Sequence, residues 1–222
     1  MPNTSEACGP AASASWLIHS LRAQPLLIVL RPGEPLLALP TLERLQELGL
    51  IHVEIAWQPK PVWADQMREL IDLFPALELG AASVCQLQGV ADAAAAGCRY
   101  AVSPLLDLEL QQRATERELL LVPGVMSPSE VHQARRLGCG IVKLFPAVSV
   151  GIDHWRRLRE PLGAPLPYCI AAGGLNPGDV LPWLEAGVDA VALGSGLTAA
   201  LQAAAADAGL EALQEVLTQL GR

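Results

Sequence analysis

Residues 137–147 read Leu-Gly-Cys-Gly-Ile-Val-Lys-Leu-Phe-Pro-Ala, and this stretch holds the unit from which the chain is built. Gly138 stands just past a helical pattern, where a helix C-cap belongs. A short apolar run follows at 140–144 and reads as a buried strand, and a helix is predicted at about 151–160. Gly49, Gly97 and Gly187 mark the same junction elsewhere, each after a helix and before a strand. Pro128 and Pro177 open helices, with Ser127 and Asn176 in the N-cap positions before them.

Outward from this stretch, strands are predicted at 26–30, 51–56, 77–83, 99–102, 119–122, 140–144, 168–171 and 189–193. Helices fall between them at about 35–48, 62–74, 86–96, 105–117, 128–137, 151–160 and 177–186. A short helix at 16–23 leads the chain, and a long Ala- and Leu-rich helix ends it. Eight strand–helix units fit an α/β fold of the (β/α)8 TIM-barrel type with an additional N-terminal helix. A doubly wound open sheet is the alternative, but its GxGxxG nucleotide fingerprint is absent. Residues 1–15 are small and polar and read as a disordered tail, leaving 16–222 as a single barrel domain.

Composition narrows the function. Half of the residues are apolar and 17% are charged, enough for a sizeable core and against disorder. The net charge of −8 argues against nucleic acid as a partner and requires a local device to hold any anionic substrate. No stretch reaches the ~18 apolar residues of a membrane span. Five scattered cysteines without a CxxC pair suggest reduced thiols in a cytoplasmic protein. The four histidines form no metal cluster, and no cofactor is expected.

Lys143 is one of two lysines; the other, Lys60, lies between prolines in a loop. A lysine in an apolar strand is either near a strand end and snorkels to water, or is desolvated and reactive. Strand parity points Ile141, Lys143 and Phe145 into the barrel, together with His52, Glu54 and Ala56 of the second strand. Glu54 is thus a candidate general acid/base, or the partner of an arginine such as Arg31. Arg31 closes the first strand, where its fork of donors could hold a carboxylate or form a surface salt bridge. Ser83 and Ser103 end strands three and four and could bind substrate hydroxyls or carboxylate, or simply cap locally. Gly173 and Gly174, with Gly194 and Ser195, follow the last two strands, the usual barrel phosphate site.

These residues carry a recognisable pattern. Ile-Val-Leu-Arg (28–31), Val-Glu-Ile (53–55), Gly-Ala-Ala-Ser-Val (80–84), Val-Ser-Pro (102–104), Pro-Gly-Val-Met-Ser-Pro-Ser-Glu (123–130), Val-Lys-Leu-Phe-Pro-Ala (142–147), Gly-Gly (173–174) and Leu-Gly-Ser (193–195) occur in order. Over about Leu17–Leu220 the chain resembles the class I 2-keto-3-deoxy-6-phosphogluconate / 4-hydroxy-2-oxoglutarate aldolases, including the 6-phosphogalactonate branch. The resemblance implies Lys143 as the Schiff-base lysine and Glu54 as the general acid/base. It implies Gly173, Gly174 and Ser195 at a substrate phosphate, and no metal. It further implies a homotrimer acting on a small 2-oxo acid and releasing pyruvate with glyceraldehyde 3-phosphate or glyoxylate. Arg31, Ser83, Gln58, Ser103 and Phe145 are the expected carboxylate and hydroxyl contacts. Gln58 stands where many members have arginine, Ala172 where threonine is usual, and Ser83 replaces a threonine. Trp57 and Trp63 either narrow the mouth or pack under the loop. The rivals are a non-catalytic phosphosugar-binding barrel, which has no use for a desolvated amine, and an isomerase or synthase on the same barrel, which needs no lysine in strand six.

Overall fold

The computed structural model describes residues 14–194, 197 and 206–221. The expected tail lies outside these residues but for its last two, and the first helix begins at Ser15. Helix α1 (Ser15–Ala23) leads to β1 (Leu26–Leu30), a 3-10 turn at Pro35–Ala38 and α2 (Leu39–Glu47). Next come β2 (His52–Ala56), α3 (Trp63–Leu73), β3 (Glu78–Ala82), α4 (Leu87–Ala96), β4 (Tyr100–Val102) and α5 (Leu108–Glu116). The second half holds β5 (Leu120–Val122), β6 (Gly124–Val125), α6 (Pro128–Arg136), β7 (Ile141–Leu144), α7 (Ala147–Val150) and α8 (His154–Leu162). It ends with β8 (Tyr168–Ala172), a 3-10 turn at Pro177–Asp179, α9 (Val180–Glu185), β9 (Ala190–Leu193) and α10 (Ala206–Leu220).

The strands pair in parallel in the order β5-β4-β3-β2-β1-β9-β8-β7-β6. The end segments, β5 and β6, flank Pro123 and together make the fifth strand of an eight-stranded barrel. Proline has no N–H to give a ladder, so the strand breaks there. Its first half serves β4, with Ser103 N donating to Val122 O at 2.9 Å. Its second half serves β7, and Lys143 N donates to Pro123 O at 2.8 Å. The sequence pattern places one strand here and misses the break. It also places one helix after β7, where the chain forms α7, turns at Gly151 with φ +87°, and restarts as α8.

Alternation along the strands sorts side chains into two layers. Ile28, Val53, Ile55, Val142, Leu144, Ala171 and Val191 pack outward under the helices. Leu27, Val29, Ala56, Tyr100, Val102, Ile141, Ile170 and Ala172 fill the interior, with Phe145 packed against them. The parity expected for β2 and β7 therefore holds. Helix α1 seals the N-terminal end. Leu17 and Leu21 are fully buried in the interior cluster, each contributing about 2 kcal/mol by burial. Trp16 meets Tyr100 edge-on at 6.1 Å, and Ser20 Oγ lies 2.8 Å from His52 Nε2. Burial lowers the His52 pKa to about 4, so the ring is neutral at pH 7. With α1 over its base, the barrel interior opens towards the C-terminal strand ends.

Candidate active site

Glu54 and Lys143 project into the interior from opposite sides, since β2 and β7 are separated by three barrel strands whichever way round one counts. Glu54 is 1% exposed and Lys143 4%. Loss of water disfavours both charged forms, and it dominates both shifts. Burial pushes the Glu54 carboxyl up to about 7, against the pull of the Lys143 and Arg31 charges. Burial lowers the Lys143 pKa; the Glu54 charge opposes this and the Arg31 charge adds to it. Glu54 Oε2 is buried with no hydrogen-bond partner, a costly state for a carboxylate that protonation or a bound polar group relieves. A neutral amine is a nucleophile, and a carboxyl near pH 7 both gives and takes protons. The Lys143 ammonium also lies 4.8 Å from the centre of the Phe145 ring.

Around the mouth the structure brings some expected residues together and turns others away. Arg31 is exposed and donates from Nη1 to Ser83 Oγ at 2.8 Å rather than pairing with Glu54. Ser83 has φ +60°, a left-handed conformation that non-glycine residues adopt at a cost and that collects at functional sites. Gln58 donates to Pro32 O at 2.8 Å. Ser103 is fully buried, and its hydroxyl accepts from Leu105 N at 3.2 Å, the local cap considered as an alternative. Trp57 and Trp63 are buried and pack under the loop, with Trp57 Nε1 on Asp92 at 2.9 Å and Trp63 Nε1 on Ala56 O at 3.1 Å.

The Gly173–Gly174 turn follows β8 with φ +99° and +84°. A Cβ on Gly173 would meet the Phe145 ring at 2.9 Å, and one on Gly174 would meet Val148 at 2.9 Å. The bare backbone thus lies against the segment that follows Lys143. Ala172 packs its methyl into the interior cluster. Gly194 follows β9, and Ser195 lies outside the described residues.

Sequence reasoning overlooked two contributors. Tyr100 is fully buried in the interior cluster and feels the Glu54 charge, and strand parity could have found it, since Val102 two residues on also points inward. Lys60 donates to Gly33 O at 2.7 Å beside the Arg31 loop, for which no sequence signal exists. Among the described residues no three His, Cys, Asp or Glu side chains are grouped to hold a metal ion. A cavity of about 360 Å³ opens at the opposite end of the barrel, lined by Arg22, Trp155, Arg159 and Asp189 among others, and includes neither Lys143 nor Glu54.

A buried amine and a buried carboxyl inside a parallel barrel, with a glycine turn beside them, set the terms for comparison with known proteins. The family model described as "KDPG and KHG aldolase" matches residues 17–211. The chain belongs to that family. As a member of the KDPG and KHG aldolases it is a carbon–carbon lyase. It is 28% identical over 174 residues to the 2-dehydro-3-deoxy-6-phosphogalactonate aldolase of Escherichia coli (strain K12), covering 78% of this chain and 84% of that protein. Among solved structures it resembles the KDPG aldolase of Legionella pneumophila, in which pyruvate was captured at low pH as a covalent carbinolamine intermediate. The TM-score is 0.75 at 27% identity, covering 92% of this chain and 98% of that one. It also resembles a chain of a cube-shaped porous cage designed by fusing symmetric oligomeric domains, with TM-score 0.75 at 27% identity over 88% of this chain and 74% of that chain.

Proposed function

We propose that the chain is a pyruvate-forming class I aldolase in which Lys143 forms the Schiff base and Glu54 moves the protons. The observation that carries this is the burial of the two groups in one interior, with both pKa values moved towards neutrality. The covalent pyruvate carbinolamine of the Legionella relative supports the same chemistry. The Lys143 amine adds to the C2 carbonyl of a 2-oxo-3-deoxy-4-hydroxy acid, and the carbinolamine loses water to give an iminium. Glu54, directly or through a water, removes the C4 hydroxyl proton. The C3–C4 bond breaks, its electrons pass into the iminium, and an aldehyde leaves. The enamine is protonated at C3, and water hydrolyses the new iminium to pyruvate and free amine.

Arg31 with Ser83 is the proposed anchor of the C1 carboxylate, because a guanidinium presents parallel donors to a carboxylate. The Gly173–Gly174 turn, with Gly194 and Ser195, is proposed for the far end of the substrate. That end is the phosphate of a 2-keto-3-deoxy-6-phospho-sugar acid, or the second carboxylate of 4-hydroxy-2-oxoglutarate. The phosphogalactonate relative favours the first; the methyl of Ala172 removes a hydroxyl from this region. We also propose a cytoplasmic homotrimer, which the similarity to a symmetric-oligomer domain supports.

Borohydride reduction in the presence of pyruvate, read by mass spectrometry, tests the central claim. An adduct on Lys143 is expected, and none in Lys143→Ala; no adduct on the intact protein at high pyruvate would sink the reading. Glu54→Gln is expected to lower kcat by about 10²–10⁴. The ratio of turnover on phosphorylated and unphosphorylated substrates then decides what occupies the glycine turn.

A further inference from the structure

The loop that carries Arg31 is held in place by the loop after β2. Gln58 Nε2 donates to Pro32 O at 2.8 Å, and Lys60 Nζ donates to the next carbonyl, Gly33 O, at 2.7 Å. Gln66 of α3 continues the seam, accepting from Leu36 N at 3.3 Å and donating to Glu34 Oε2 at 3.3 Å. Pro32 O is only an acceptor, so the orientation of the Gln58 amide is set by its partner. Gln58 is half-buried, whereas the Lys60 side chain is 42% exposed. The Gln58 bond is therefore the better shielded of the two loop tethers.

Arg31 needs such help. An exposed arginine has about 2 kcal/mol of rotamer entropy to lose before it presents a fixed fork. Its outer end is defined by Ser83 Oγ, itself fixed by an unusual backbone conformation. Its inner end is constrained through the next residue, Pro32, whose carbonyl Gln58 holds. Gln58 lies four residues after Glu54, just beyond the end of β2, so one stretch of chain places the acid/base group and aligns the guanidinium. With Nη1 on Ser83, the other edge of the guanidinium remains to receive the two oxygens of one carboxylate.

We infer that Gln58 is a positioning residue: by holding Pro32 O it fixes Arg31 on Ser83 as the carboxylate anchor of the site. The inference rests on the role proposed above for Arg31, and its test separates the two. Oxamate is isosteric with pyruvate, but its amide carbonyl does not form an imine, so its affinity by calorimetry reports carboxylate anchoring without Schiff-base chemistry. Gln58→Leu is expected to weaken oxamate about 5–10-fold. The same variant raises by the same factor the pyruvate concentration for half-maximal borohydride trapping. The trapping rate at saturating pyruvate stays as in the parent, and the Tm falls by about 2–4 °C. In an Arg31→Ala background, measured at high oxamate, Gln58→Leu adds less than about twofold. Unchanged oxamate affinity in Gln58→Leu overturns the inference, and so does an equal loss with and without Arg31. If the parent forms no pyruvate adduct while the oxamate pattern holds, the aldolase reading fails and the positioning role stands.

Discussion

Two buried titratable side chains on one strand, His52 and Glu54, push stability in opposite directions as pH changes. The Glu54 carboxyl titrates near 7 in the folded chain against an ordinary value of 4.5. It therefore keeps a proton that the unfolded chain has lost, and its contribution is present below pH 4.5 and lost as pH rises through 7. His52 titrates near 4 against an ordinary 6.5. Its contribution is present above pH 6.5 and lost as pH falls through 4. Between pH 4.5 and 6.5 the two slopes, each about 1.4 kcal/mol per pH unit, oppose one another. Stability of the parent, as far as these two groups set it, is flat in that window. Glu54→Gln removes one slope, so its urea-unfolding free energy is expected to climb with pH from 4.5 to 6.5 and to exceed that of the parent at pH 8. A flat Glu54→Gln profile would show that His52 is not shifted as described, and a parent profile that climbs like the variant's would show the same of Glu54. For the reaction itself, kcat/KM is expected to rise towards pH 7 as Glu54 ionises, and this limb is expected to vanish in Glu54→Gln.

At the scale of the elements, the barrel interior is packed by pairs of large and missing side chains on neighbouring strands. Gly80 of β3 is such a gap: a Cβ there would lie 2.3 Å from Tyr100 Cζ and within 2.7 Å of both adjoining ring carbons. The ring sits against the interior cluster beside α1 and has no open space to enter. Gly80→Ala is expected to cost about 2–3 kcal/mol by chemical denaturation, and under about 1 kcal/mol in a Tyr100→Leu background, because the clash is pairwise. The sequence makes the strands legible through parity and glycine caps: Gly49, Gly97, Gly138 and Gly187 all have φ between +77° and +102°. The Ser127 cap was equally legible and closes a box with Glu130, whose carboxylate accepts from Ser127 N at 2.7 Å. Lys143 and Glu54 followed from the same parity, since a period of two fixes which face a residue occupies. Gly80 and the Gln58–Pro32 bond did not follow, because close approach between strands or loops distant in sequence leaves no local period. Arg31 was visible as a candidate, but its choice of Ser83 over Glu54 depends on a backbone angle that composition does not reveal.

On the scale of the molecule, five of the eight exposed large apolar side chains among the described residues lie after three strands, while Leu37, Val62 and Leu73 lie elsewhere. Leu105 and Leu108 follow β4, Met126 follows β6, and Val148 and Ile152 follow β7, and each is between 37% and 55% exposed. These strands are consecutive around the barrel, so their loops form one sector of the C-terminal rim. The sector is tied together: Gly124 N donates to Leu105 O at 3.2 Å, and His154 Nε2 lies 2.8 Å from Met126 O. A sector rich in exposed apolar side chains on an acidic chain is a surface that self-association would cover. It also adjoins the site, since Val148 packs against the Gly174 turn. If the proposed trimer closes through this rim, charge placed there acts by like-charge repulsion around the symmetry axis as well as by desolvation. Leu108→Glu combined with Met126→Glu is thus expected to convert a trimeric parent to monomers in sedimentation velocity, with a circular dichroism spectrum like that of the parent. Turnover of the monomer is expected to fall through KM more than kcat, because the rim adjoins the Gly174 turn proposed for the far end of the substrate, whereas Lys143 and Glu54 lie inside a single barrel. A parent that sediments as a monomer would refute the assembly, and a double variant that stays trimeric would place the interface on another face.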